Sequence, residues 1–441
     1  MAFEERPINA DLPPTGGATA PAETQEPTPP RPPKRKRKPV PAALKAIAGL
    51  FLLAVVFIVA AILGGRGGGE ESPETPAPVS EAPRKSPEET TSSQTSSELG
   101  YPAFATANTT RVGGGDPAST AAGVALATFP STQPSQRPAA VTLVDAADWR
   151  TAIAASVLMA APVGAPALVS EADGMPEATS SALAALDPPG SSATGGSQVF
   201  AIGAADAPDD MKTRRVTASG GAGAAAIAAL REKLAGAPPR HVLVAPSANP
   251  AFAMPAAAWA ARSGDPVLFT GRDRLDKPTA AVLKATPHTA VYVLGPSSMI
   301  SSAVVREIAK LDPRVRRVSG EDPVESSIAL ARYSGGDFGW NVNDPGHGFV
   351  VANSADPLDA AAAAPLSASG TWGPLLLTDS TDTLPAALRG YFLDVKPGYT
   401  TDPTRAFYNH IWVIGDQEAI SVNEQAEIDE LAALAKIGGE E

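Results

Sequence analysis

The chain has 441 residues, with 45 prolines, 39 glycines, no cysteine and a net charge of −12. Without cysteine there are neither disulfides nor thiolate metal sites, so any folded part is held by its apolar core. The first 66 residues carry nine Lys or Arg against five acids, leaving residues 67–441 at −16; such a balance argues against a dedicated nucleic-acid binder, whose affinity rests on clustered cations.

Residues 1–45 hold ten prolines in their first forty positions and few large apolar groups, and are expected to be a disordered cytoplasmic tail. Residues 46–65 then read AIAGLFLLAVVFIVAAILGG, twenty residues without a charge. At about 1.5 Å per residue this run covers the roughly 30 Å hydrocarbon core, and predicts a transmembrane helix. The basic run from Lys34 to Lys38 lies on its N-terminal side, and Glu70, Glu71 and Glu74 follow it. The positive-inside rule therefore keeps the N-terminus in the cytoplasm and sends the rest outside the cell. A cleaved signal peptide is the rival reading, but its leader is short and its apolar region usually only about 7 to 15 residues. The basic run could also be a nuclear-localisation or nucleic-acid patch; beside a span, the topogenic role fits better. Residues 66–109, rich in Pro, Ser, Thr, Glu and Gly, predict a disordered tether.

Beyond the tether the chain repeats itself. Arg111-Val112, Arg215-Val216 and Arg317-Val318 recur at spacings of 104 and 102 residues and open three expected units, 110–213, 214–315 and 316–441. Each unit offers an apolar strand (VTLV from Val141, HVLVA from His241, FVVA from Phe349) and an Ala-rich helical segment. A second strand follows (ALVS from Ala167, PVLFT from Pro266, PLLLT from Pro374), and a third ends on Gly203, Gly295 or Gly415. Continuous apolar runs alternating with helical patterns, such as 279–285, 301–311, 324–333 and 421–435, predict parallel sheets covered on both faces. The fold class is therefore α/β: three tandem Rossmann-like parallel-sheet units in a pseudo-threefold arrangement, after one transmembrane helix.

Two segments of the third unit carry a resemblance. RVSGEDPVESSIALARY (317–333) and ANSADPLDAAAAAPLSA (352–368) resemble the two signature segments of the cell wall binding repeat 2 family, through Arg317, Ser319, Gly320 and Asp322, and through Asp359, Ala360, Pro365 and Leu366. Pro323 departs from the pattern, and Thr151 and Phe252 stand where the first two units would carry an equivalent of Asp359. The family occurs on Gram-positive cell surfaces, often as three tandem copies. The resemblance implies noncovalent attachment to an anionic cell-wall polymer or peptidoglycan-linked glycan, with Arg317, Ser319, Asp322 and Asp359 as ligand-binding candidates. From the residues alone, Asp322 and Asp359 equally suit helix capping, Ser319-Gly320 a turn, and Arg317 an ion pair.

Catalytic patterns are absent. His241, His288, His347 and His410 include no i, i+4 metal pair, and neither a G-x-S-x-G elbow nor an S-x-x-K with partner motifs occurs. Asp145, Asp148, Asp356 and Asp359 read as turn and cap residues before they read as acid/base pairs. The Gly221-Ala222-Gly223 stretch imitates a dinucleotide fingerprint, but no convincing strand is expected before it and Arg240-His241 stand where an acid is needed. No cofactor or metal is expected. Two loops of the third unit, 335–348 and 396–410, concentrate Phe338, Trp340, Tyr399, Phe407 and Tyr408. Both precede strands and so share a sheet edge. Their rings either form a surface for sugar stacking or a protein partner, with Trp340 and Tyr399 as candidates, or pack the loops down as a small core. The expected function is a noncatalytic membrane-anchored envelope protein binding wall polymer. An extracellular protein-interaction scaffold is the alternative, and an envelope hydrolase the third.

Overall fold

The computed structural model describes residues 104–311, 314–369 and 372–438. The expected cytoplasmic tail and transmembrane helix, and the tether as far as residue 103, lie outside these residues. Among the described residues no helix is long and apolar enough to cross a membrane. The described part falls within one compact unit, Ser86–Glu441.

An antiparallel pair, β1 (Phe104–Ala105) and β2 (Thr109–Val112), comes first, so ordered structure starts inside the stretch expected to be tether. Then follow α1 (Pro117–Thr128), β3 (Val141–Asp145), α2 (Trp149–Ala155), β4 (Ala167–Ser170), α3 (Glu177–Leu186), β5 (Val199–Ile202) and β6 (Thr213–Val216). The strands β3 to β6 form a parallel sheet in the order β4-β3-β5-β6. The chain continues through α4 (Gly220–Ala235), β7 (His241–Pro246), α5 (Met254–Ser263), β8 (Val267–Thr270), α6 (Lys277–Ala285), β9 (Ala290–Leu294), α7 (Ser302–Leu311) and β10 (Val315–Val318). Its second sheet has the same order, β8-β7-β9-β10. Last come α8 (Pro323–Arg332), β11 (Gly348–Asn353), α9 (Pro357–Ala368), β12 (Leu375–Thr378), α10 (Ala386–Asp394), β13 (Gly398–Tyr399), β14 (His410–Ile414), α11 (Val422–Ala432) and β15 (Ala435–Lys436). The third sheet runs β12-β11-β14-β2, with β1 outside β2.

The fourth strand of each sheet is thus an Arg-Val strand, and its register is the same each time. Arg215 lies opposite Ala201, Arg317 opposite Val293 and Arg111 opposite Val413, each two residues before the exit glycine of the neighbouring strand. The sequence places these pairs at the head of the units. In the structure they close the sheet before, and β2, from the start of the domain, closes the last. The helices that follow belong to the next sheet: α1 packs on β4, α4 on β8 and α8 on β12. The crossing between units therefore falls between strand and helix, a few residues later than the sequence division.

At the centre, α9 packs against α5, α1 and α2. The run Ala360–Ala364 is buried throughout, as expected of a helix apolar on every side. Small side chains let helix axes approach to the short end of the usual 8–10 Å. Met159, Ala261 and Ala364, equivalent in spacing, meet in one cluster. Asp116 starts α1 by accepting from the Ala118 and Ser119 N–H groups at 2.9 Å, with Pro117 behind it where a missing N–H costs nothing.

Candidate functional site

Arg317 is half-buried, and its guanidinium donates to the Gly295 carbonyl and, at 2.6 Å, to that of Ile300. Arg111 makes the same connection in the third sheet, donating to the carbonyls of Gly415 at 3.0 Å and Ile420 at 2.6 Å, and through Nε to Gln425 at 2.9 Å. Arg215 is exposed and reaches only the Ala205 carbonyl, at 3.2 Å. Burial lowers the pKa of both Arg111 and Arg317. The donors of Arg317 are therefore engaged in tying an edge strand to the loop after the exit glycine. Gly295 and Gly415 take φ of +86° and +89°, a region where L side chains are strained.

Asp322 caps α8, accepting from the Glu325 N–H at 2.8 Å. Half-buried Ser319 precedes Gly320, whose N–H donates to Ser326 Oγ at 3.0 Å; a Cβ on Gly320 would lie 2.2 Å from that of Glu325. Asp145 accepts from the N–H groups of Ala147 at 2.9 Å and Ala204 at 3.0 Å, and Asp148 from that of Gly220 at 2.7 Å, which are turn and capping duties. Asp359 differs. Its side chain is buried in the first turn of α9, and burial, then the charges of Asp356, Asp416 and Asp116, push its pKa up to about 8. The upward shift favours its protonated form, beside the exit glycine Gly415 that follows β14. Among the described residues no group of three or more His, Asp or Glu is placed to hold a metal ion.

The two aromatic loops meet near their C-terminal ends, where a Cβ on Gly346 would lie 2.9 Å from that of Phe407. The Gly346 and His347 N–H groups donate to Asn409 Oδ1 at 2.9 and 3.1 Å. Farther out they diverge. Tyr399 is half-buried in β13, which pairs with β15. Phe407 and Tyr408 are 72% and 55% exposed. The 335–348 loop folds onto the second sheet, where buried Phe338 stacks on Tyr292 with ring centres 3.5 Å apart. Trp340 packs edge-on against Trp259 at 5.5 Å.

That docking surrounds His241, at the start of β7. Its Nδ1 lies 2.9 Å from Asp265 and its Nε2 3.0 Å from Asp337 at the loop tip. Trp259 Nε1 donates to the same Asp265 carboxylate at 2.9 Å. Desolvation lowers the His241 pKa, but the two carboxylates outweigh it, Asp265 first, and the net shift is upward. His241, Asp265 and Asp337 were not singled out as a group by sequence, because 96 residues separate the ring from Asp337 and no spacing rule links them. The only signal was the aromatic loop that carries the aspartate.

With this geometry in view, residues 317–424 match the family described as cell wall binding domain 2. A search of curated proteins found no match. Two solved structures are similar in fold. Cwp6 from Clostridium difficile aligns with TM-score 0.57 and 18% identity, covering 74% of this chain and 47% of that one. Cwp8 from Clostridium difficile aligns with TM-score 0.53 and 19% identity, covering 74% and 52%. At these identities the likeness is one of fold, and this chain spans about half the length of either structure.

Proposed function

We propose that the chain is a noncatalytic, membrane-anchored envelope protein whose three α/β units bind an anionic cell-wall polymer. The observation that carries this reading is the match of residues 317–424 to cell wall binding domain 2. The common strand order and Arg-Val register of the three sheets support extending it to the first two units. A net charge of −16 beyond the basic tail requires that contact with an anionic polymer be local, through a patch where arginines are exposed. Arg317 acts as a positioning residue in this reading, because its donors already hold backbone carbonyls. A second reading, capture of a protein partner, rests on exposed Phe407 and Tyr408.

The test is co-sedimentation of the full-length chain, in mild detergent, with purified walls that retain or lack their anionic secondary polymer, across a salt series. Binding that weakens with salt and disappears with the polymer is expected. Absence of binding to either preparation overturns the reading.

A further inference from the structure

Where the 335–348 loop meets the second sheet, it leaves a cleft of about 650 Å³ with Arg240, Arg262, Trp259, Asp337 and Trp372 among its walls. The size lies within the range of small-ligand sites. Trp372 is 55% exposed and sits at φ +59°, a left-handed backbone costly for a bulky residue. An indole held out to solvent on a strained backbone adds nothing to the core.

Arg262, exposed at the C-terminal end of α5, stands with its guanidinium carbon 5.6 Å from the Trp372 ring centre and 5.3 Å from that of Trp340. Contact with an aromatic face leaves the guanidinium charge unneutralised. Among the described residues no carboxylate forms an ion pair with Arg262. Arg240 pairs with Asp337 at 3.3 Å, but both side chains are mostly exposed, and such a pair is weak and easily exchanged. Asp337 is itself held by His241, so this wall of the cleft is fixed.

An adjoining cleft that shares Arg240, Ser263 and Asp265 also holds Arg231 but no aromatic ring, and two further clefts have no cation. One beside the start of α1 is lined by Asp116, Glu171 and Glu177 with no arginine or lysine. Another, beside His347, Tyr408 and Trp412, also lacks both. The Arg262 cleft joins an exposed aromatic face to two arginines, and its two carboxylates, Asp265 and Asp337, are already held by His241.

We propose that this cleft is a subsite for one acidic sugar residue. Trp372 covers the C–H face of the pyranose ring. Arg262, joined by Arg240 on release from Asp337, takes the carboxylate or phosphate of that sugar through charge-assisted hydrogen bonds. The proposal rests on the wall-binding reading for the polymer that supplies the sugar, and on the cleft alone for the chemistry.

Tryptophan fluorescence of the full-length chain in mild detergent tests it, with three probes: hyaluronan tetrasaccharide for a carboxylate, pentamannosyl 6-phosphate for a phosphate, and uncharged chitotetraose. Saturable binding of at least one charged probe is expected, with chitotetraose weaker by about tenfold or more. Arg262→Ala and Trp372→Ala should each weaken the charged probe by about tenfold or more, with unfolding midpoints near that of the parent, since both side chains are exposed. Arg262→Lys should retain part of the affinity. Which charged probe binds tells carboxylate from phosphate. Failure of both charged probes, or variants that bind like the parent, overturns the subsite. Sedimentation with walls separates the two ideas. Walls held equally by parent and variants leave the wall reading intact and remove the subsite. Walls not held, with a charged probe still bound through Arg262 and Trp372, remove the wall reading and keep the subsite.

Discussion

The guanidinium of Arg111 donates to the carbonyl of Gly415 at 3.0 Å, joining the first strands of the domain to its last sheet across 304 positions. Asp429 strengthens the same closure by accepting from the Asn108 N–H at 2.7 Å. The third sheet is incomplete without a segment that the sequence assigns to the first unit or to the tether.

Replacing Arg111 with alanine is therefore expected to destabilise the domain by about 3 kcal/mol or more, because several charge-assisted bonds are lost and buried carbonyls of the 415–420 loop are left unpaired. Arg215→Ala, at the same register but exposed and with one bond of 3.2 Å, should cost no more than about 1 kcal/mol. Urea unfolding of the two variants measures the difference. Equal costs would mean that the edge strand of the third sheet is held by its backbone ladder alone.

Buried carboxyls predict how stability changes with pH. Asp359 is raised to about 8, and Glu424 to about 7, the latter by burial, partly offset by Thr378 and reinforced by Glu427, Asp382 and Asp379. A carboxyl whose folded pKa is above its unfolded value favours the folded state while protonated. That contribution is complete below about pH 4 and is lost as pH rises through about 7 and 8. Asp359→Asn cannot ionise, and should exceed the parent in stability by at least about 1 kcal/mol at pH 9 while the gap closes toward pH 5. Thermal unfolding at the two pH values decides it; a gap independent of pH would show that Asp359 is not neutral in the fold.

The strands were legible because a sheet covered on both faces needs unbroken apolar runs, and VTLV, HVLVA and PLLLT supply them. The Arg-Val strands were visible as a repeat, but their partner was not: nothing in a linear pattern says whether an edge strand pairs with the sheet before it or after it. The site was less legible. Local concentration of aromatics marked the 335–348 loop, yet whether Phe338 faces solvent or Tyr292 depends on which unit the loop lands against. Arg262 and Trp372 lie 110 positions apart, and only the packing of α5 against α9 brings them to one cleft.

His241 offers a spectroscopic check on that packing. With carboxylates on both ring nitrogens its pKa is raised, so protonation supports the fold below the unfolded value near 6.5 and is lost as pH rises through the folded value. Nuclear magnetic resonance titration of the ring should show a midpoint above that of a free histidine, and Asp337→Asn should bring it down. An unchanged midpoint would mean that the loop tip does not stay on the ring in solution.

The aromatic loops make the sharpest contrast in stability. Phe338 is fully buried among Tyr292, Trp259, His241 and Tyr333, so Phe338→Ala leaves a cavity and exposes the loop's seat on the second sheet. Truncation of a buried phenylalanine costs about 3 to 5 kcal/mol. Phe407, 72% exposed, has little burial to lose, and Phe407→Ala should fall within about 0.5 kcal/mol of the parent. Urea midpoints at neutral pH compare them directly. If Phe338→Ala were as mild as Phe407→Ala, the 335–348 loop would be a surface element rather than the clamp between the second and third sheets. The wall of the Arg262 cleft would then lose its support, since Asp337 and Gly339 flank Phe338 in the chain.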